Sequence, residues 1–384
     1  MVPKMQYRKF GRLDWMPSAL GFGAMRLPIL DGDAGKIDEP LAIDMIRYAI
    51  DHGVNYVDSA YPYHKGQSEM VVGKALRDGY RERVHLATKM PCWLVNTADD
   101  FDRYFDEQLG KLQTDHIDFY LLHGLGKERW PKVRDLGVIR WAERKIEEGK
   151  IGHLGFSFHD ELPAFKEIVD AHDWTFCQIQ YNYMDTKYQA GTEGLRYAAK
   201  RGLAVVVMEP IAGGRLAINP PEGIRKLWRE GHHGWKPAEW ALQWVWNQPE
   251  VSLLLSGMSA MRHVEENVKA AGRSGVGKFT GDDLRLVDRV AAKYREMGFV
   301  GCTGCRYCSP CPSGVAIPEI FALFNEFYMK DREPTIKAKY REQLKQGQWA
   351  KNCTRCGRCE ELCPQHLPIR DLLRGAGQVF EMDR

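Results

Sequence analysis

"GVNYVDSAYPYHKGQSEMVVGKAL", Gly53 to Leu76, decides the fold. It holds a short apolar run, "NYVDSA", that turns polar at Asp58, then a loop with Tyr63, then a helical pattern. The stretch before it, "EPLAIDMIRYAIDHG", has helical periodicity, with Pro40 at its entry and Gly53 at its end, as helix boundaries prefer. Downstream comes "VHLATK", another apolar run ending on a polar residue, Lys89. Between Ser18 and Ser259 the same alternation yields eight strand-like runs: "SALGFG", "NYVDSA", "VHLATK", "IDFYLLH", "GHLGFS", "TFCQIQ", "LAVVVME" and "VSLLLSG". Helical patterns such as "ADDFDRYFDEQLGKLQ" and "RDLGVIRWAERKIEEGK" lie between them. Alternation implies parallel strands joined by right-handed crossovers. Eight units in roughly 250 residues point to an α/β protein with a (β/α)8 TIM barrel. A doubly wound sheet is the alternative, but "GFGAMRL" lacks the G-x-G-x-x-G turn it would place after its first strand.

Nearly every run is apolar until its end. The polar residues there are Asp58, Lys89, His123, Ser157, Gln180, Glu209 and Ser256. In a barrel all strands end on one face, where active sites lie. Tyr63 sits in the loop over that face. A tyrosine, with an unperturbed pKa near ~10, is a poor proton donor at neutral pH until a neighbouring ammonium favours its phenolate. Lys89 can supply that charge, Asp58 can hold Lys89, and His123 can hydrogen-bond a substrate oxygen or relay its proton. Each residue alone reads as a solvated strand end or a cap. The four together suit protonation of a carbonyl oxygen as hydride reaches its carbon, or the reverse.

The chain has 384 residues, more than one core usually holds, which favours a barrel plus a small second domain. Apolar residues make up 44% and charged residues 27%, an ordinary globular balance, and the net charge of +3 gives no case for nucleic acid or a membrane as partner. No apolar run approaches a membrane span, and "MVPKMQYRKF" lacks a signal-peptide core. The expected location is cytoplasmic. Cys92 and Cys177 are isolated and read as buried thiols; the other eight cysteines crowd into the tail, which in a reducing cytosol argues for metal ligation.

On "GVNYVDSAYPYHKGQSEMVVGKAL", "VHLATK" and "IDFYLLHGL" the chain resembles the aldo-keto reductase family, over roughly Tyr7 to Ala271. The family's catalytic Asp, Tyr, Lys and His fall on Asp58, Tyr63, Lys89 and His123. The resemblance implies a (β/α)8 barrel that binds NADP or NAD without a Rossmann fold and acts on a small carbonyl or alcohol. It carries Ser157 in "GFSF" and Gln180 in "QIQYNY" over as nicotinamide-amide contacts, with Phe158 where the family has Asn. Met208 takes the place of the aromatic that stacks on the ring. "SGMSAMRHVEENVKAA" resembles the segment holding the adenosine end: Ser256, Gly257 and Ser259 in the phosphate loop, Glu266 and Asn267 at adenine. Gly257 and His263 stand where 2′-phosphate ligands often occur, and the adjacent Arg262 is the substitute, its fork suited to phosphate. Trp93, Trp130, His64 and His159 lie in loops expected over the pocket mouth.

The tail holds "CTGCRYCSPCP", Cys302 to Pro312, and "CTRCGRCEELCPQ", Cys353 to Gln365. The second has the C-x2-C-x2-C-x3-C-P spacing of bacterial ferredoxin ligands for a 4Fe-4S cluster, and the first is one residue shorter. Pairing Cys302 with Cys353 gives an offset of 51, and Cys311 with Cys363 one of 52; Val315 and Ile317 match Leu367 and Ile369. The tail thus resembles a dicluster ferredoxin domain. That implies crossed ligation, with Cys302, Cys305, Cys308 and Cys363 on one cluster and Cys353, Cys356, Cys359 and Cys311 on the other. Zinc is the rival metal for paired C-x2-C.

The expected organisation is a barrel over residues 1–280, a connecting helix over 281–297, and a small, mostly helical iron–sulfur domain over 298–384. The expected activity is NAD(P)-dependent interconversion of a carbonyl and an alcohol. The tail would serve electron transfer to a redox partner protein, redox sensing or structure. The alternative makes the tail the working part, docking to a ferredoxin or redox complex, with the barrel as a nucleotide-binding module.

Overall fold

A computed structural model describes residues 3–329 and 333–382. Its eight strands are β1 (Leu20–Gly23), β2 (Tyr56–Asp58), β3 (His85–Met90), β4 (Ile117–Leu125), β5 (Ile151–Phe158), β6 (Phe176–Gln180), β7 (Ala204–Met208) and β8 (Val251–Gly257). They pair in parallel, in sequence order, and close with β8 on β1. This is the (β/α)8 barrel expected from the alternation, followed by a mostly helical C-terminal region.

Inward residues at every second position fill the barrel: Tyr56, Ala87, Phe119, Leu121, Phe176, Val206 and Leu253 form one buried cluster. Phe10, from a tight turn bridged between Phe10 and Leu13, is fully buried against the rings of Tyr56, Phe119 and Phe176. It plugs the end where the strands begin and leaves the opposite end for chemistry. Gly155 lets β5 approach Phe176, whose ring would meet an added Cβ at 2.5 Å.

The chain divides into two compact units, Met1–Pro210 with Leu242–Phe279, and Ile211–Ala241 with Thr280–Arg384. Residues 211–241, which the sequence assigns to the barrel, thus group with the C-terminal unit. The reason is local packing within that unit. Trp228 of the helix Glu222–Arg229 stacks on Trp240 at 5.0 Å, and Glu230 pairs with Arg289 at 2.6 Å. Arg289 belongs to the helix Gly281–Glu296, which opens on a Thr280–Asp283 capping box.

One helical expectation is corrected in detail. "RDLGVIRWAERKIEEGK" holds the end of one helix, Arg129–Asp135, and all of a second, Val138–Glu147, broken at Gly137 in the left-handed region (φ 84°). The helix Thr335–Gln343 stops before Leu344, which is extended, and short turns follow. In the tail the helices Ile317–Met329 and Ile369–Phe380 each begin at the same distance after Cys311 and Cys363, and pack Phe321, Tyr340, Leu373 and Phe380 into a core of their own.

Candidate active site and metal centre

Asp58 closes β2, Lys89 lies one residue from the end of β3, and His123 sits near the end of β4, so the strand order alone brings three of the four residues to one rim. Tyr63 enters on a short turn after β2, where His64 and Lys65 are left-handed (φ 53° and 55°). All four are buried. Lys89 Nζ donates to Asp58 Oδ1 (2.7 Å), Asp58 Oδ2 (2.6 Å) and the Ser59 carbonyl (2.7 Å), and reaches Tyr63 Oη at 3.4 Å. The ammonium therefore has its strongest bonds on the β2 side and points its remaining charge at the phenol. Burial pulls the Lys89 pKa down and the Asp58 pKa up, and each is opposed by the charge of the other.

His123 meets Tyr63 edge-on with ring centres 6.1 Å apart. Burial first, then Lys89, His159 and Arg129, push its pKa well below the usual histidine value. It is a neutral imidazole at pH 7, and its Nδ1 is buried without a hydrogen-bond partner among the described residues. Such a neutral ring can orient an oxygen by a hydrogen bond.

A buried network braces β3 from behind. Glu69 Oε1 accepts from Thr88 Oγ1 and Gln108 Nε2, both at 2.6 Å, and Gln108 Nε2 also reaches the Lys89 carbonyl at 3.0 Å. The sequence gives little sign of this brace, because Glu69 and Gln108 sit among ordinary helical polar residues. Lys89→Met is expected to destabilise the protein by about 3–5 kcal/mol, since it leaves the Asp58 carboxyl buried without its cation. Denaturant unfolding measures this. Restoration of part of the loss by Asp58→Asn in the same chain is the expected signature; an unchanged midpoint in Lys89→Met contradicts it.

At the other side of the rim, Ser157 Oγ accepts from the Gly124 N–H at 2.8 Å. Gln180 turns its Nε2 to Asp185 Oδ2 at 2.8 Å, within a set that includes Asn182. Gln178, which the sequence reading passes over, pairs in register with Ser157. Its Nε2 lies 3.4 Å from Met208 Sδ, and its Oε1 is buried with no partner among the described residues. Gln178 and Gln180 share one strand parity, so polarity at a strand end does not choose between them. Asn267 Nδ2 donates to Ser256 Oγ at 3.0 Å, tying the helix Met261–Ala271 to β8. Ser259, Arg262 and Glu266 are exposed around the start of that helix, whose cap, Ala260, makes no side-chain cap bond. Arg26, also not singled out in the sequence, lies along Gly257 and pairs with Glu209 at 3.4 Å.

The four residues expected over the pocket mouth separate. Trp93 meets His123 edge-on at 5.1 Å, and His159 is close enough to depress the basicity of His123. Trp130 is instead core, packed against Trp174 at 5.8 Å. His64 spends both ring nitrogens on backbone, Nδ1 with the Ala34 carbonyl (2.9 Å) and Nε2 with the Leu27 N–H (3.0 Å). Cys92 and Cys177 are fully buried, and burial pushes both thiols up, Cys92 to about 12.

In the tail, Cys311, Cys353, Cys356 and Cys359 line one cavity, with Ile317 and Leu373 behind them. The other four are neighbours of one another: burial pushes the Cys308 thiol up, and Cys305, Cys302 and Cys363 push it further. Cys311 thus groups with the second run and Cys363 with the first. The backbone repeats as well. Gly304 and Arg306 are left-handed in the first run, Arg355 and Gly357 in the second, and Gly314 and His366 after each run. Where the lengths differ, the second run closes a helical turn, Arg358–Glu361, and the first carries a cis Ser309–Pro310 peptide. Among the described residues no three His, Cys, Asp or Glu close on a point that would hold a single metal ion. A cavity walled by four cysteines suits a cluster, which spaces its thiolates around several irons.

Residues 19–290 match the Aldo/keto reductase family, and residues 301–367 a 4Fe-4S dicluster domain. The NADH-specific methylglyoxal reductase of Escherichia coli (strain K12) is 27% identical over 334 residues, covering 75% of this chain and 96% of the relative. L-galactose dehydrogenase of Arabidopsis thaliana is 26% identical over 289 residues, covering 70% and 89%. The aldo-keto reductase AKR11C1 from Bacillus halodurans, in its holo form, superposes with a TM-score of 0.62 at 29% identity, over 74% of this chain and 96% of that one. Closed barrel, strand-end residues and matched length agree: the chain belongs to the aldo/keto reductase family of oxidoreductases and carries a 4Fe-4S dicluster domain at its C-terminal side.

Proposed function

We propose that the protein is an NAD(P)(H)-dependent oxidoreductase that interconverts a small carbonyl compound and its alcohol, with Tyr63 as general acid and base. The observation that carries this reading is Lys89 Nζ, held by both oxygens of Asp58 and 3.4 Å from Tyr63 Oη. A bound nicotinamide supplies the hydride. Lys89 stabilises the phenolate that forms as Tyr63 gives its proton to the carbonyl oxygen, and Asp58 keeps that charge aimed. Neutral His123 donates a hydrogen bond that positions the same oxygen. In the oxidative direction Tyr63 takes the proton back.

The chain offers groups suited to the cofactor at several points. The buried, unpartnered Oε1 of Gln178 can accept from a carboxamide N–H, with Ser157 beside it and Met208 packing on a ring. Gln180, bonded to Asp185, acts as support for this strand end. The start of the helix Met261–Ala271, with Ser259 and Arg262 near it, suits phosphate, as helix N-termini do. Glu266 and Asn267 suit the adenine end. The E. coli relative's name specifies NADH; Arg262 would favour a 2′-phosphate, so NADPH and NADH are both to be assayed.

In the tail, Cys302, Cys305, Cys308 and Cys363 would hold one 4Fe-4S cluster and Cys311, Cys353, Cys356 and Cys359 a second. Such clusters supply one-electron transfer. Cys356 is exposed, which favours exchange with a redox partner at the second site. The buried tetrad speaks against a barrel that serves only as a binding module. The test is an anaerobic assay of NADPH- and NADH-linked turnover across aldehydes, ketones and sugars. Reduction of at least one class with stoichiometric cofactor oxidation is expected; absence of nicotinamide-linked turnover across the panel would overturn the reading.

A further inference from the structure

The rim around His123 carries a cation that the proton chemistry does not use. Arg129, half-buried, follows β4 and lies over the Trp93 ring with its Cζ 5.8 Å from the centroid. Trp93 in turn meets His123 at 5.1 Å, and His123 meets Tyr63 at 6.1 Å, so Tyr63, His123, Trp93 and Arg129 form a row leading away from the acid. Arg129 Nη1 donates to the Gly124 carbonyl at 2.9 Å. Gly124 is left-handed (φ 64°), and an added Cβ there would lie 2.9 Å from Nη1, so glycine makes room for the guanidinium.

No carboxylate neutralises Arg129 among the described residues. Asp160, on the loop after β5, gives its oxygens to the Lys127 and Glu161 N–H groups, both at 2.8 Å. Asp58 is committed to Lys89. His159 and Lys132, which share neighbours with Arg129, are basic residues, and the Cys92 thiol beside Arg129 is pushed up by burial and so stays neutral. The depressed basicity of His123 agrees with a pocket of positive field, since Arg129 is among its causes. A half-buried guanidinium anchored by one nitrogen keeps Nε and Nη2 as a planar fork, the geometry that matches an oxyanion.

We propose that Arg129 is the anion-recognition residue of the substrate pocket, so that the carbonyl substrate carries an oxyanionic group, a carboxylate or a phosphate, bound beyond His123 and Trp93. This rests on the carbonyl–alcohol reading given above. Trp93 is then the wall that fixes the guanidinium plane, and the carbonyl end of the same substrate meets Tyr63 and His123.

The test uses the holoenzyme and matched probes: 4-formylbenzoate, 4-formylphenyl phosphate and the neutral 4-formylbenzamide, with 4-oxobutanoate and 4-oxobutanamide as a short pair. The wild type is expected to favour the anionic member by about 30-fold in kcat/KM, the value of a charge-assisted bond. The carboxylate and phosphate arms identify which oxyanion the fork takes. In Arg129→Met that ratio is expected to collapse towards one through KM, and Arg129→Lys to keep part of it. Calorimetric titration of benzoate, phenyl phosphate and benzamide gives a readout without turnover: weaker anion binding in Arg129→Met, with benzamide little affected, is expected. Equal rates on neutral and anionic probes in the wild type, or a preference that survives Arg129→Met, would overturn the proposal. If no probe is reduced at all, the carbonyl–alcohol reading fails instead, and the benzoate and phenyl phosphate titrations still decide whether Arg129 binds an oxyanion.

Discussion

Tyr63→Phe is expected to lower nicotinamide-linked carbonyl reduction by about 10³-fold in kcat, within the range for loss of a general acid. The substitution is clean because the ring stays. Phe at this position keeps the edge contact with His123 and the cation–ring contact with Lys89, whose Nζ lies 5.1 Å from the ring centre. Lys89 keeps its bonds to Asp58 and the Ser59 carbonyl, so no charge is stranded. Stability and iron content should therefore match the wild type, unlike Lys89→Met, where a buried carboxylate loses its partner. His123 cannot take over as acid, because burial, with Lys89, His159 and Arg129 nearby, keeps it neutral. Turnover within a few-fold of wild type would place the acid elsewhere and remove the assigned role of Tyr63.

The second large effect concerns the tail. Cys311→Ala is expected to reduce iron from about eight to about four per chain, and Cys353→Ala to remove the same cluster. Cys363→Ala and Cys305→Ala should remove the other. Cys311 belongs to the first run by sequence but lines a cavity with Cys353, Cys356 and Cys359, while Cys363 bears on Cys302 and Cys308. Electron paramagnetic resonance of the dithionite-reduced, anaerobically purified variants distinguishes the two sets. Pairing by sequence run, with Cys311→Ala and Cys305→Ala damaging one and the same cluster, would contradict crossed ligation. Two zinc ions and a colourless wild type would exclude iron–sulfur altogether.

Much of the barrel is legible because each strand repeats one pattern, an apolar run with a polar end. That pattern locates Asp58, Lys89 and His123 without any contact information, since parallel strands in sequence order leave their ends on one rim. It fails where parity is shared. Gln178 and Gln180 both face inward, and only the register, Ser157 with Gln178 and Gln180 with Met208, shows which amide lies beside Ser157. It also fails for residues whose role is tertiary. Residues 211–241 lie between β7 and β8 in sequence, yet the Trp228–Trp240 stack and the His233–Asp283 contact at 3.1 Å tie them to the C-terminal unit. Trp130 and His64 look like pocket residues by position, and become a core residue and a backbone clamp because aromatic and imidazole groups serve packing as readily as binding. In the tail, spacing alone raises a doubt about Cys311; the left-handed residues recurring through both runs remove the need for equal length, since the difference is confined to the link before the last cysteine.

The central claim is that the barrel moves hydride directly to the substrate carbon and that the clusters are not on that path. Hydride transfer carries two electrons together, whereas a cluster passes one at a time and would leave the new carbon-bound hydrogen to come from solvent. The most direct measurement is therefore anaerobic turnover of an accepted aldehyde with cofactor deuterated at the transferring C4 position, in ordinary water, with mass spectrometry of the alcohol. The account predicts one deuterium on the carbinol carbon of each product molecule; an alcohol carrying only solvent hydrogen at that carbon would contradict it.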